Sequence, residues 1–151
     1  MIPTANNLAQ IRKDLKDAIM NKLKTAMQSG TLQDAKSLIY GNRAKIGSVN
    51  PPIIWVIPNS HVPDVSAHSR AWHNFNFDFL AVTKHVEPEK AADQAEDLAA
   101  RIYDVIIADR HLDGLVHDIT PTSVDPAYEA GQSTQLYFAA VSFSFRIPRV
   151  E

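Results

Sequence analysis

Over the first thirty residues, apolar side chains recur every three or four positions: Leu8, Ile11, Leu15, Ile19, Leu23 and Met27. That period puts them on one face of an α-helix. Pro3, Thr4 and Asn6 supply starting chemistry and Gly30 supplies a stop. A helix of about 24 residues would run about 36 Å, long for a chain of this size. Its opposite face carries Arg12, Lys13, Lys16, Lys22 and Lys24 against Asp14 and Asp17. A second stripe, Ala91, Ala95, Leu98, Ile102, Val105 and Ile106, predicts a helix near 88–110. Pro88 suits a first helical position, and Glu87 and Glu89 suit the positive end of the helix dipole. The helix should end within 109–113, before Gly114.

Between and after the helices the period changes to two. Phe75, Phe77, Phe79 and Ala81 alternate with Asn74, Asn76 and Asp78, which predicts a strand from Trp72 to Lys84. Tyr137, Ala139, Val141, Phe143, Phe145 and Ile147 alternate with Ser142, Ser144 and Arg146 in a second strand that Pro148 ends. Ile53–Ile57 is a short β-branched and aromatic run fenced by Pro51, Pro52 and Pro58. Ser37–Tyr40, closed by Gly41 and Asn42, makes a further short strand. Leu115–Val124 is a weak strand, and Pro121 within it points to an edge or a bulge. The stretches 58–71 and 125–134 are polar and aperiodic and read as long loops, which inside a compact domain usually have a function. The expectation is an α+β fold: a mostly antiparallel sheet of about four strands packed against two helices. The sheet's second face, with Asn74, Asn76, Asp78, Ser142 and Ser144, must meet water or another subunit.

Composition narrows the picture without redirecting it. The 151 residues are 45% hydrophobic and 21% charged, enough for one core, so a single domain spanning 1–151 is expected. A formal net charge of -2 gives no argument for a nucleic-acid or membrane partner. With no cysteine, thiol catalysis, disulfides and cysteine-based zinc sites are excluded. The sequence has no repeat, no apolar run near the length of a membrane span, and no signal-peptide core behind its polar N-terminus.

Candidate chemistry is sparse. His61, His68 and His73 cluster in and just after the first long loop, at spacings that match no familiar metal-ligand pattern. They are either solvated loop histidines or a metal site. Asp109-Arg110-His111-Leu112-Asp113 sets carboxylates around a histidine, and a helix end followed by a turn gives the same letters. No Gly-x-Ser-x-Gly elbow and no glycine-rich phosphate loop occurs among the five glycines. Glu96 and Asp97 fall on the solvent face of the second helix. The basic face of the first helix has acids interspersed and lacks aromatics for base stacking. No catalytic, cofactor-binding or metal residue is assigned. Trp72 and Tyr128, at loop edges, are either partner-contact anchors or residues packed under their own loops. With His61 and His68 they are the candidate contacts.

The order of elements resembles a known family. A long N-terminal helix precedes the proline-bounded strand Pro52-Ile53-Ile54-Trp55-Val56-Ile57-Pro58. A long loop, an alternating aromatic strand, a helix and a strong alternating final strand follow. Over nearly the full chain this pattern is similar to the tail terminator (tail-completion) proteins of long-tailed bacteriophages and related viruses. The resemblance implies a non-enzymatic virion protein without cofactor, assembled in the host cytoplasm into a ring, typically a hexamer, within the tail or neck. Its implied partners are further copies of itself, the tail tube protein and the head–tail connector, with DNA passing through the lumen without sequence-specific binding. A head-closure protein, another neck adaptor or a minor tail protein of similar fold is the alternative. A small metal-binding or enzymatic domain using the histidine region is the third.

Overall fold

The computed structural model describes residues 7–41, 50–67, 70–129 and 135–150. In chain order the elements are α1 (Leu8–Ser29), β1 (Ser37–Tyr40), β2 (Ile53–Ala67), β3 (Arg70–Lys84), α2 (Pro88–Ile107), β4 (Asp118–Glu129) and β5 (Leu136–Val150). The fold is α+β, and the sheet has five strands in the order β1-β2-β3-β5-β4. Only β1–β2 is parallel; every other pair is antiparallel. The sheet is mostly antiparallel, as expected, with five strands in place of about four.

α1 begins where the Asn7 side chain accepts the Gln10 amide at 2.8 Å, a side-chain cap for an otherwise orphaned donor. It ends before Gly30, whose φ of 120° suits a residue without Cβ. Ile11, Leu15, Ile19, Leu23 and Ala26 are buried. α2 has Pro88 in its first turn and buries Ala91, Ala95, Leu98, Ala99, Ile102 and Ile106. It stops at Ile107, short of 110, because the backbone turns at Asp109. That carboxylate accepts the amides of His111 (3.3 Å) and Asp113 (2.7 Å) and the Lys22 ammonium (3.2 Å). β3 and β4 both pair antiparallel with β5, so they run parallel to each other and α2 is their crossover. β5 then inserts between them.

Both helices lie on one face of the sheet. Against them pack Phe75, Phe77 and Phe79 of β3, Val141, Phe143 and Phe145 of β5, and Ile54 and Val56 of β2. The rings meet edge-on: Phe77–Phe145 at 5.5 Å and 90°, Phe79–Phe143 at 5.8 Å and 77°. α1 reaches over the β1/β2 side, where the Lys16 ammonium stands 4.5 Å from the centre of the Tyr40 ring. α2 covers β3 and β5 and reaches β4.

The expected loop 58–71 is largely strand. β2 runs on to Ala67 and pairs with β3 from Ile53↔Val82 out to Ala67↔Arg70. Its prolines are tolerated because β1 ends at Tyr40, opposite Val56, and among the described residues no second strand pairs with the rest of β2 or needs its ladder donors. Bulges between Pro58 and His61 and between Asp64 and Ala67 break the alternation, which is why the sequence shows no period there. The expected loop 125–134 is strand as far as Glu129, and 130–134 lie outside the described residues. The weak strand expected over 115–124 begins at Asp118 instead. Its Pro121 sits beside a bulge on the outermost strand, as both edge and bulge readings required.

Candidate assembly surfaces

Among the described residues no helix lies on the second sheet face, and that face changes character along its length. At one end Ile39, Ile53 and Val82 are buried beneath Trp55, Leu80, Leu136 and Phe138, a cluster built from strand residues alone. The Trp55 indole donates to the Gly41 carbonyl at 2.6 Å and meets Phe138 edge-on at 6.2 Å. Tyr128 extends the stripe toward β4, its ring 5.8 Å from Phe138 and its side chain 54% exposed. In the middle the face is polar. Asp78 accepts Ser142 Oγ at 2.7 Å and Asn59 Nδ2 at 3.0 Å, and Asn76 Nδ2 donates to Ser60 Oγ at 3.0 Å. At the far end the Arg146 guanidinium lies 4.5 Å over the Trp72 ring and donates to Asn74 (3.2 Å) and Asp64 (3.4 Å). His117 flanks the same indole at 4.8 Å.

Trp72 therefore stands on a strand inside the hairpin, in contact with a cation and an imidazole. Tyr128 stands near the end of β4. His68 lies outside the described residues. His61 and His73 do come together: Nε2 of His61 and Nδ1 of His73 are 2.8 Å apart, and the His61 ring stacks on Phe75 at 4.3 Å. Burial, then the His73 charge and the Arg12 guanidinium, hold the His61 pKa below its usual 6.5. Two imidazoles fall short of the three or four ligands of a protein zinc site. Among the described residues no group of three metal-ligating side chains occurs.

The Asp109–Asp113 stretch is a turn. Leu112 and Asp113 have φ of 47° and 58°. Burial raises the Asp109 pKa, but the Asp113 amide, Lys22 and the His111 amide outweigh it and leave the carboxyl lowered. Arg101 has a similar structural use. It pairs with Asp34 through two contacts of 2.6 and 2.8 Å and with Asp97 at 2.9 Å, tying α2 to the segment after α1. The hydrogen bond from Arg101, opposed by burial, lowers the Asp34 pKa.

Sequence reasoning missed the apolar end of the open face, although a signal was present. Phe79-Leu80-Ala81-Val82 and Leu136-Tyr137-Phe138 are continuous apolar runs inside alternating strands, which means both faces are apolar there. It also missed a groove of about 480 Å³ between α2 and β4, lined by Glu96, Tyr103, Asp104, Val124, Asp125 and Val141 among others. That groove could not be read before the pairing of β4 with β5 was known.

No protein-family model matches this sequence. None of the curated proteins matches it either. Among solved structures, the chain is similar to one from the "Virion of native gene transfer agent (GTA) particle", with a TM-score of 0.59. The match covers 89% of this chain and 94% of the other, at 15% identity. At that identity the likeness is one of fold. No helix among the described residues is long and apolar enough to cross a membrane.

Proposed function

We propose that this chain is a structural virion protein, a tail terminator whose copies form a ring that caps the tail tube and joins the tail to the neck. The observation that carries this reading is the fold likeness, over nearly the whole of both chains, to a component of a gene transfer agent virion. The open sheet face is consistent with it: an apolar, aromatic stripe that no helix covers is what an assembly subunit presents to a neighbour. In this reading the partners are further copies of the chain, the tail tube protein and the head–tail connector, with DNA crossing the lumen. Trp72 and Tyr128 are candidate contacts, and the protein works through surfaces and not through catalysis.

The test is light scattering with negative-stain imaging, alone and with purified tail tubes. At 16.8 kDa per copy, a hexamer has a mass of about 101 kDa. A closed ring that seats on tube ends supports the terminator. A chain that stays monomeric and fails to join tubes rejects it. A chain that joins the head side alone supports the head-closure or neck-adaptor reading, which the same fold likeness allows.

A further inference from the structure

Charge is distributed unevenly between the two lateral edges of the molecule. α1, on the β1/β2 side, has five basic and two acidic residues, a net of +3. α2 and β4, on the other side, carry eight acidic and two basic residues, a net of -6. The chain's overall -2 conceals this polarity.

The acidic edge contains the groove between α2 and β4. Its lining includes the apolar Ala100, Val124 and Val141, with Val124 65% exposed. Glu96, Asp104 and Asp125 rim it, and no basic residue lines it. The Ala127 amide donates to Glu96 Oε2 at 2.9 Å and pins β4 to α2 at one end. Both α2 cations are committed elsewhere, Lys90 to Glu87 and Arg101 to Asp34 and Asp97. At the opposite edge Arg12, Lys13 and Lys16 are exposed on α1. Arg12 and Lys16, one turn apart, both border Tyr40.

We propose that the groove between α2 and β4 receives the Arg12/Lys16 face of α1 from a second copy of this chain. The contact is heterologous, one edge meeting a different edge next door, and repetition of such a contact closes a ring or extends a filament. Long basic side chains fit it, since their methylene stems cover an apolar floor while their charges reach a carboxylate rim. The proposal rests on the ring reading and specifies which surfaces meet.

The experiment uses the full chain with rim and helix charges reversed. Asp104→Lys with Asp125→Lys, and separately Arg12→Glu with Lys16→Glu, are expected to weaken self-association by about tenfold or more, measured by sedimentation. Mixing the two variants brings the reversed edges together and restores association. Raising salt from about 0.05 to about 0.5 M weakens the unaltered chain's association. Because the chain has no cysteine, Lys16→Cys with Val124→Cys gives a second readout: a disulfide ladder joining copies under oxidation, whether or not a charge variant folds poorly. If both reversals assemble like the unaltered chain and no ladder forms, this contact is wrong, while a ring seen by imaging keeps the ring reading. Variants that keep their self-association but lose only tube binding also overturn it, since the groove then serves a different partner. A chain monomeric under all conditions, tubes included, overturns both.

Discussion

Phe79 and Leu80 are sequence neighbours on β3 that point to opposite faces of the same sheet, and their surroundings differ. Phe79 is fully buried among Phe143, Phe145 and the two helices. Leu80 is half-buried in a cluster of strand residues with no helix above it. Both positions carry large apolar side chains, so residue type does not distinguish the faces; the helix layer does. The fold is complete with one face covered. The apolar end of the other face, from Ile39 across Trp55 and Phe138 to Tyr128, buries Ile39, Ile53 and Val82 but leaves Trp55, Leu80, Leu136 and Phe138 only partly covered. Under the ring reading, that partly covered stripe is a surface for a neighbouring subunit.

The largest test of that contrast is Phe79→Ala, which removes a fully enclosed ring from a layer that cannot collapse around the gap. It should cost about 3–5 kcal/mol by chemical denaturation. Leu80→Ala should cost about 1–2 kcal/mol in the isolated chain, since half of the side chain already faces water. The ordering matters more than either value: if Leu80→Ala proves as costly as Phe79→Ala, the open face is part of the core and the distinction fails. Under the ring reading, Leu80→Ala should also reduce assembly by more than its effect on stability explains.

A smaller effect sharpens the middle of the open face. Ser142→Ala removes the 2.7 Å hydrogen bond to Asp78 but leaves that carboxylate with Asn59 and with access to solvent. The expected cost is about 1 kcal/mol in thermal or chemical unfolding. A cost near that of Phe79→Ala would mean that the polar ladder is a buried network.

The covered face was legible in the sequence and the open face only partly so. Period two at Phe75, Phe77 and Phe79 and at Tyr137–Ile147 fixed those strands and their inward sides, and period three to four fixed both helix stripes. What failed depended on the sheet itself. Pro58 and Pro63 argue against a strand unless that strand is known to be an edge, and here the edge exists because β1 is only four residues long. The bulges in β2 and β4 shift the alternation, so neither segment shows a clean period. His61, His68 and His73 cluster in the sequence, but it is hairpin pairing, not spacing, that brings the His61 and His73 rings together, and His68 lies outside the described residues. The Arg12/Lys16 edge was visible as a basic helix face, while its acidic counterpart is divided between α2 and β4 and emerges only once they are side by side.

The smallest expected effect lies at the far end of the covered face, where a polar pair replaces the phenylalanines. Burial, the neighbouring His73 and the Arg12 guanidinium all disfavour a proton on His61, so its folded pKa lies below the ordinary 6.5. The unfolded chain, with its imidazole in water, takes up that proton first as pH falls. Stability contributed at this site is therefore fully present above about pH 6.5, declines as pH drops below it, and levels off once pH passes the lower folded value. The informative quantity is the difference between the unaltered chain and His61→Gln across about pH 5–8. The substitution keeps a hydrogen-bonding side chain toward His73 but cannot take up a proton. The unaltered chain should lose stability faster than the variant on acidification. A difference that stays constant across that range would show that His61 titrates as it does in water, and that this end of the helix-covered face is as open to solvent as the face behind it.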